Sequence, residues 1–268
     1  YDPPTAVLAA AWCLLIRSAI ITEVDGDFPA IKNQALQWLS AINPEDATRV
    51  EGLLAEAEAA QPHEFPNNGW SQHAVQAAWS AITTTPNHVD DKGKGTYRAS
   101  HLQRALEACC RIHNDTDTVA CIAGGVLGAT WGLSAVPLAW RRMIYGWPGL
   151  KDRGLVELTA QILGTQEGTW PLTNHFDYTG YGDISSIATH PHDPDVVLAG
   201  VGAVTGPDPR AVDVTAVVSL CRMGRNDMAL PNVKPQNWIQ VPLVDSPRGN
   251  AHTQFLVDQA ADAIAHFR

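Results

Sequence analysis

The residues best suited to chemistry are Asn114-Asp115-Thr116-Asp117-Thr118, which run straight into a helix of small residues, Val119 to Gly132. Asp115, Asp117 and Thr118 place two carboxylates and a hydroxyl within four positions. Hard oxygen donors so closely spaced suit a hard divalent cation such as Mg²⁺. The Ala/Gly helix behind them lets neighbouring helices come close and gives the donors a rigid support. The same residues also suit an ordinary helix N-cap, since Asp and Thr before an apolar helical run satisfy free amides. A helix N-terminus carries partial positive charge, which draws carboxylates but not a metal. A cation here therefore needs further carboxylates from elsewhere, and this cluster is half a site.

Other candidates have plainer readings. Asp90-Asp91 lies in a polar loop with Gly and Lys and reads as solvated surface. His190-Pro-His192-Asp-Pro-Asp195 is interrupted by prolines and reads as loop rather than as a ligand tract. Gly124, Gly125, Gly128 and Gly132 lie inside a helix, so they serve close packing and not phosphate binding. The nine tryptophans sit mostly on apolar helical faces, where core packing is the default. The five cysteines include no Cys-x-x-Cys and stand in apolar surroundings, which predicts buried free thiols in a reducing, cytoplasmic setting.

The elements that must carry these residues fall into two kinds. Residues 5–21 are apolar almost all round and predict a buried helix. Residues 30–42 show helical spacing of Ile31, Ala35, Leu36, Leu39 and Ile42. Pro44 opens a helix to about residue 60, as proline does at a first turn. Residues 62–69 read as loop, 70–82 as helix, 83–95 as polar loop and 97–112 as helix, with no alternating strand pattern before about 165. Residues 164–194 are rich in Gly, Thr, His, Asp and Pro and read as linker and turns. Short strand-like pieces come next at 196–199, 201–204, 214–220 and 238–243, and a helix closes the chain at 252–268, the pattern of an α/β unit.

Composition narrows the function. The 268 residues carry a formal net charge of −10, and no Lys/Arg cluster offsets it. Phosphate-backbone contact needs Lys and Arg, so a nucleic-acid role is not expected. The longest apolar run, residues 6–16, is far short of the roughly 20 residues that span a bilayer, so no membrane role is expected.

The Asp motif and the segments after it resemble the ADP-ribosylglycohydrolase family, which includes the dinitrogenase-reductase-activating glycohydrolases. That family has a Gly-Asp-x-Asp-Thr segment, an Ala/Gly helix and a Gly-x-x-x-Ile/Val-Pro-x-x-Trp segment. The matching residues here are Asn114 to Thr118 and Gly132-Leu-Ser-Ala-Val136-Pro137-Leu-Ala-Trp140. Asn68-Gly69-Trp70 and Ala77-Ala78-Trp79 resemble the family's Gly-Trp and Ala-x-Trp helix, and Gly154 to Leu158 resembles the helix that closes the domain. The family's Gly-Asp-Ala-x-Gly opening and its Thr-Asp-Asp-Thr-like motif have no counterpart, and His113 stands where the family often has Gly.

The resemblance implies an incomplete helical domain over residues 1–163. It implies Asp115, Asp117 and Thr118 as ligands of Mg²⁺ or Mn²⁺, two ions in the complete domain, and Trp70 at the ligand cleft. The implied activity is metal-dependent hydrolysis of the bond joining ADP-ribose to a protein or a small acceptor, with such ADP-ribosylated molecules as partners. Residues 195–268 resemble the front half of a dual-specificity protein phosphatase. Asp213 to Cys221 is similar to a family strand, and Trp238 to Pro247 to the strand and loop bearing the general acid, which implies Asp245 in that role. The nucleophile motif Cys-x5-Arg is absent, and Cys221, at the end of an apolar strand, reads as structural. The expected fold is thus mainly α, with a small, incomplete α/β phosphatase-like unit. The alternatives to hydrolysis are phosphatase activity from that unit, or a non-catalytic helical module that binds ADP-ribose.

Overall fold

The computed structural model describes residues 3–22, 26–206, 208–211, 213–245 and 249–268. Its contacts divide the chain into two compact units, Tyr1–Val136 and Pro137–Arg268.

The first unit is helical: α1 (Pro3–Thr22), α2 (Phe28–Ile42), α3 (Pro44–Ala59), α4 (Ser71–Thr84), α5 (Ser100–Cys110) and α6 (Thr116–Trp131). The caps arise from the sequence. Asp27 accepts from the Ala30 amide at 2.9 Å and starts α2. Asn43 accepts from the amides of Glu45 and Asp46 and starts α3, whose first turn is acidic as the helix dipole favours. α4 is the central helix, buried from Ala74 to Ile82. Its Trp79 is fully buried and packs edge-on against Trp12 and Phe28, with ring centroids 6.3 and 6.4 Å away. The Trp79 indole N–H still finds a partner, Glu58, at 2.9 Å.

The apolar run of α1 predicts burial all round, and the structure corrects this. The inner face (Leu8, Ala11, Trp12, Leu15, Ala19) is buried, but Ile20 and Ile21 are 61% and 55% exposed. The helix is long and apolar enough to cross a membrane by length and composition alone. Packing settles which face is core, and composition does not distinguish the two. The cysteines need the same correction: Cys109 is buried, but Cys13, Cys110 and Cys121 are exposed, because α1, α5 and α6 carry small apolar residues on outward faces too.

His101 is buried beneath this core. Its Nε2 lies 3.0 Å from the Ile82 carbonyl, and its Nδ1 accepts from the Trp131 indole at 3.2 Å. That pairing assigns a neutral ring with the proton on Nε2. Burial pushes the His101 pKa down, against the opposing pull of the Ile82 and Thr85 backbone. The unfolded chain takes up this proton near pH 6.5 and the folded chain resists it. The helical unit is therefore expected to lose stability as pH falls from about 7 to about 5. Urea titrations across that range check this, and His101→Gln should flatten the slope.

Among its described residues the second unit contains α7 (Leu138–Met143), α8 (Asp152–Ile162), α9 (Gly202–Thr205), α10 (Thr253–Phe267) and four short strands. Arg141, 6% exposed, grips Asp152 through two hydrogen bonds of 3.0 and 2.6 Å and ties α7 to α8. β1 (Ile187–His190) and β2 (Asp193–Ala199) form an antiparallel hairpin. β3 (Val217–Ser219) pairs in parallel with β4 (Trp238–Gln240). Leu138, Ile239, Val241, Leu256 and Ala263 form the core between α7, β4 and α10.

Three expectations change here. Residues 201–204 are helical (α9) and not a strand. The Ile184 backbone lies directly over Gly200 and Gly202, and the Gly202 amide donates to the Ile184 carbonyl, which turns the chain out of β2. Part of the 164–194 stretch is strand β1, which the surrounding Gly and Pro conceal. The strands expected at 214–220 and 238–243 shorten to three residues each.

Candidate functional site

The Asp motif sits where α5 hands over to α6. Asn114 adopts the left-handed conformation, φ 68°, and breaks the chain between the two helices. A short loop before α4 holds this turn at three points. The Asn68 side chain donates to the His113 carbonyl at 2.7 Å and accepts from the Asp115 amide at 2.9 Å. The Asn114 side chain donates to the Pro66 carbonyl at 2.7 Å.

Asp115 stands at the N-cap position of α6, yet its side chain makes no capping hydrogen bond. Asp27 and Asn43 do cap their helices, whereas the side chain of Asp115 contacts that of Asp117 instead. Asp115 is half-buried, while Asp117 and Thr118 are exposed. The Asp117 carboxyl is held below the usual carboxylate range, first by its contact with the Asp115 side chain, then by the amides of Asp117 and Thr118. Two carboxyl groups thus meet at a helix N-terminus, with Thr118 the next residue along the helix. The donor set is all oxygen and suits Mg²⁺ or Mn²⁺ as one side of a site. Among the described residues no group of three or more His, Cys, Asp or Glu gathers to complete it.

The support behind the donors is tight. The Trp12 indole donates to the Ile122 carbonyl at 2.9 Å, and a side chain at Gly125 would come within 3.0 Å of Ile16. Small residues on α6 therefore do let α1 approach, although a side chain at Gly128 would meet nothing within 4 Å. Trp70 lies two residues from Asn68, 49% exposed, with its ring 5.2 Å from that of His73. His73 Nδ1 accepts from the Asn67 amide at 3.2 Å, which places its remaining proton on Nε2. Asp90 and Asp91 are surface residues as expected: Asp90 accepts from the Arg98 amide and Asp91 pairs with Lys94. His190 and His192 flank the β1–β2 turn.

The second unit holds a separate cleft of about 480 Å³. It opens where β3 and β4 end: Leu220, Cys221 and Arg222 come after one strand, and Leu243, Val244 and Asp245 after the other. Ligands commonly bind beyond the carboxyl ends of parallel strands. Phe176, Tyr178 and Tyr181 form the aromatic wall, and the Arg222 guanidinium lies 5.0 Å above the Phe176 ring. Asp245 is exposed at the rim. Burial pushes the Cys221 thiol up, so it is a poor nucleophile, as its position at a strand end implies.

Asp227 stands behind that wall, 3% exposed. Its carboxylate accepts from His175 Nδ1, the Phe176 and Gly224 amides and the Tyr178 hydroxyl. Burial alone would raise its pKa, but these four donors outweigh it and the net shift is downward. Sequence reasoning misses both Asp227 and Asn68. Asn68 falls within the Asn-Gly-Trp segment, but nothing in that segment points to the turn it holds.

The ADP-ribosylglycohydrolase family model matches residues 1–171, more than half of the chain, and the chain belongs to that family. It is similar to a curated ADP-ribosylhydrolase ARH3 of Danio rerio, 39% identical over 93 residues, which is 35% of this chain and 25% of the relative. A second ADP-ribosylhydrolase ARH3, of Xenopus tropicalis, is 34% identical over 55 residues, 20% of this chain and 16% of the relative. The chain thus spans about a quarter or less of the length of these relatives. No solved structure matches.

Proposed function

We propose that the protein hydrolyses the glycosidic bond of ADP-ribosylated proteins or small acceptors, with Asp115, Asp117 and Thr118 holding Mg²⁺ or Mn²⁺. The observation that carries this reading is the pair of carboxyl groups in contact at the start of α6, with Asp115 making no capping bond, in a chain of this family. Bound cations supply positive charge that orients ribose hydroxyls and activates water. The chain's own part is to hold two carboxylates and a hydroxyl together on a stiff helix while the sugar carbon becomes oxocarbenium-like. The exposed Trp70 face offers a stacking surface for the base or ribose. In this reading residues 1–163 form the hydrolase part, 164–194 a connection and 195–268 the second unit, in a cytoplasmic protein.

The test is release of free ADP-ribose from a mono-ADP-ribosylated protein, with Mn²⁺ or Mg²⁺ and with a chelator. Metal-dependent release supports the reading. Binding of ADP-ribose without release leaves the non-catalytic module. The cleft beyond β3 and β4 favours a second reading, in which Asp245 serves as general acid of a phosphatase-like unit. With no Cys-x5-Arg in the unit the attacking group is water, and Asp245 protonates the leaving alcohol or phenol; hydrolysis of an aryl phosphate that falls at least about tenfold in Asp245→Asn supports it.

A further inference from the structure

We propose that Asn68 is the positioning residue of the metal loop: its amide holds the Asp115 and Asp117 carboxylates together before any cation arrives. The inference rests on the metal-ligand reading of those two residues.

Asn68 is 1% exposed, and a buried amide must find partners for its polar atoms. Both partners belong to another segment, 45 and 47 residues further on. The donor meets the His113 carbonyl and the acceptor meets the Asp115 amide, so one planar group brackets the left-handed Asn114. Only a side chain with a donor and an acceptor on one short fork can do this; Asp, Ser and Leu each lose at least one bond.

The bracket fixes where Asp115 begins relative to α6. With its main chain gripped by Asn68, the Asp115 carboxylate stays out of the capping position and beside Asp117. The contact between the two carboxyl groups depends on where the loop holds Asp115, and a free loop would let them part. A neutral amide opposes that without adding charge or competing for the cation. The bond from Asn114 to the Pro66 carbonyl is a second stitch between the same two loops. Groups that orient metal ligands from behind commonly alter affinity by about 10–100-fold.

The experiment titrates Mn²⁺ alone into the full chain by calorimetry, for the native sequence and Asn68→Ala, and tracks amide hydrogen exchange in both. The expected result is affinity at least about tenfold weaker. Exchange of the Asp115 amide should be faster, with the core amides of Trp79 and Val126 unchanged. Equal affinity in the two proteins overturns the positioning role and leaves the metal reading intact. Absence of binding by the native sequence removes the metal reading, and this proposal with it. Faster exchange spread evenly through α4 and α6, with unchanged affinity in the folded fraction, means that Asn68 is merely structural. If Asn68→Ala does not fold, Asn68→Ser, whose short hydroxyl reaches one partner at most, carries the same comparison.

Discussion

Asp115→Ala will bind Mn²⁺ more than about 100-fold more weakly while the helical unit stays as stable as before. Loss of a direct donor should exceed the effect of losing a supporting group, which reaches about 100-fold. Stability tells the two readings of this residue apart. A working N-cap lost to alanine costs about 1 kcal/mol. The Asp115 side chain makes no capping bond, and its amide and carbonyl, which do hold Asn68 and Val119, survive the substitution. Unfolding by urea should therefore shift by less than about 0.5 kcal/mol, as for an ordinary surface change. Asp27→Ala is the control, because Asp27 does cap α2 and its loss should show the capping cost. A destabilised Asp115→Ala with unchanged Mn²⁺ affinity would return the residue to capping and end the metal reading. Asp117→Asn should also weaken Mn²⁺, since it removes the carboxylate that faces Asp115.

The helical unit is legible in the sequence because its signals are local. Apolar spacing in α2, proline at the start of α3 and the small-residue run of α6 each act within one element. The candidate donors Asp115, Asp117 and Thr118 are picked out for the same reason, being adjacent in sequence. The residue that seats them is not: the bonds of Asn68 cross 45 residues or more, and periodicity does not register them. The exposed face of α1 is hidden by the same limit, since an apolar residue looks alike on either side of a helix until its neighbours are placed.

In the second unit pattern fails outright. β3 and β4 are three residues each and pair across a loop, so neither has the length that alternation needs. β1 lies in a stretch whose glycines and prolines argue for turns, and α9 takes a run of valine and alanine that looks extended. The common cause is that long-range contacts override weak local preference. Asp227 is the clearest case. As Arg-Asn-Asp-Met it has no sequence signature, and its role arises only because His175, Phe176 and Tyr178 fold back onto it.

That convergence makes Asp227→Ala the most damaging single change expected in the second unit. It strands the buried Gly224 amide and the part-buried Phe176 amide, and leaves the Tyr178 hydroxyl only the longer bond to the Arg222 carbonyl at 3.4 Å. A buried donor left without a partner costs about 1–3 kcal/mol, so the two amides together cost on the order of 2–4 kcal/mol after partial relaxation. Asp227→Asn keeps the shape and one acceptor and should lose less. The pH dependence has a definite sign. The folded-state pKa lies below the unfolded value near 3.9, so this contribution is complete above that value and is lost as pH falls through the folded pKa. The helical unit, governed by His101, weakens from about pH 6.5 downward. Acid titration monitored by residue-resolved hydrogen exchange should thus open the α4–α6 core first and the Phe176–Asp227 segment last. Asp227→Ala should reverse that order, and the aromatic wall of the cleft should lose its protection even at neutral pH. Unchanged protection of Phe176 and Tyr178 in Asp227→Ala would mean that the wall stands on its ring contacts alone.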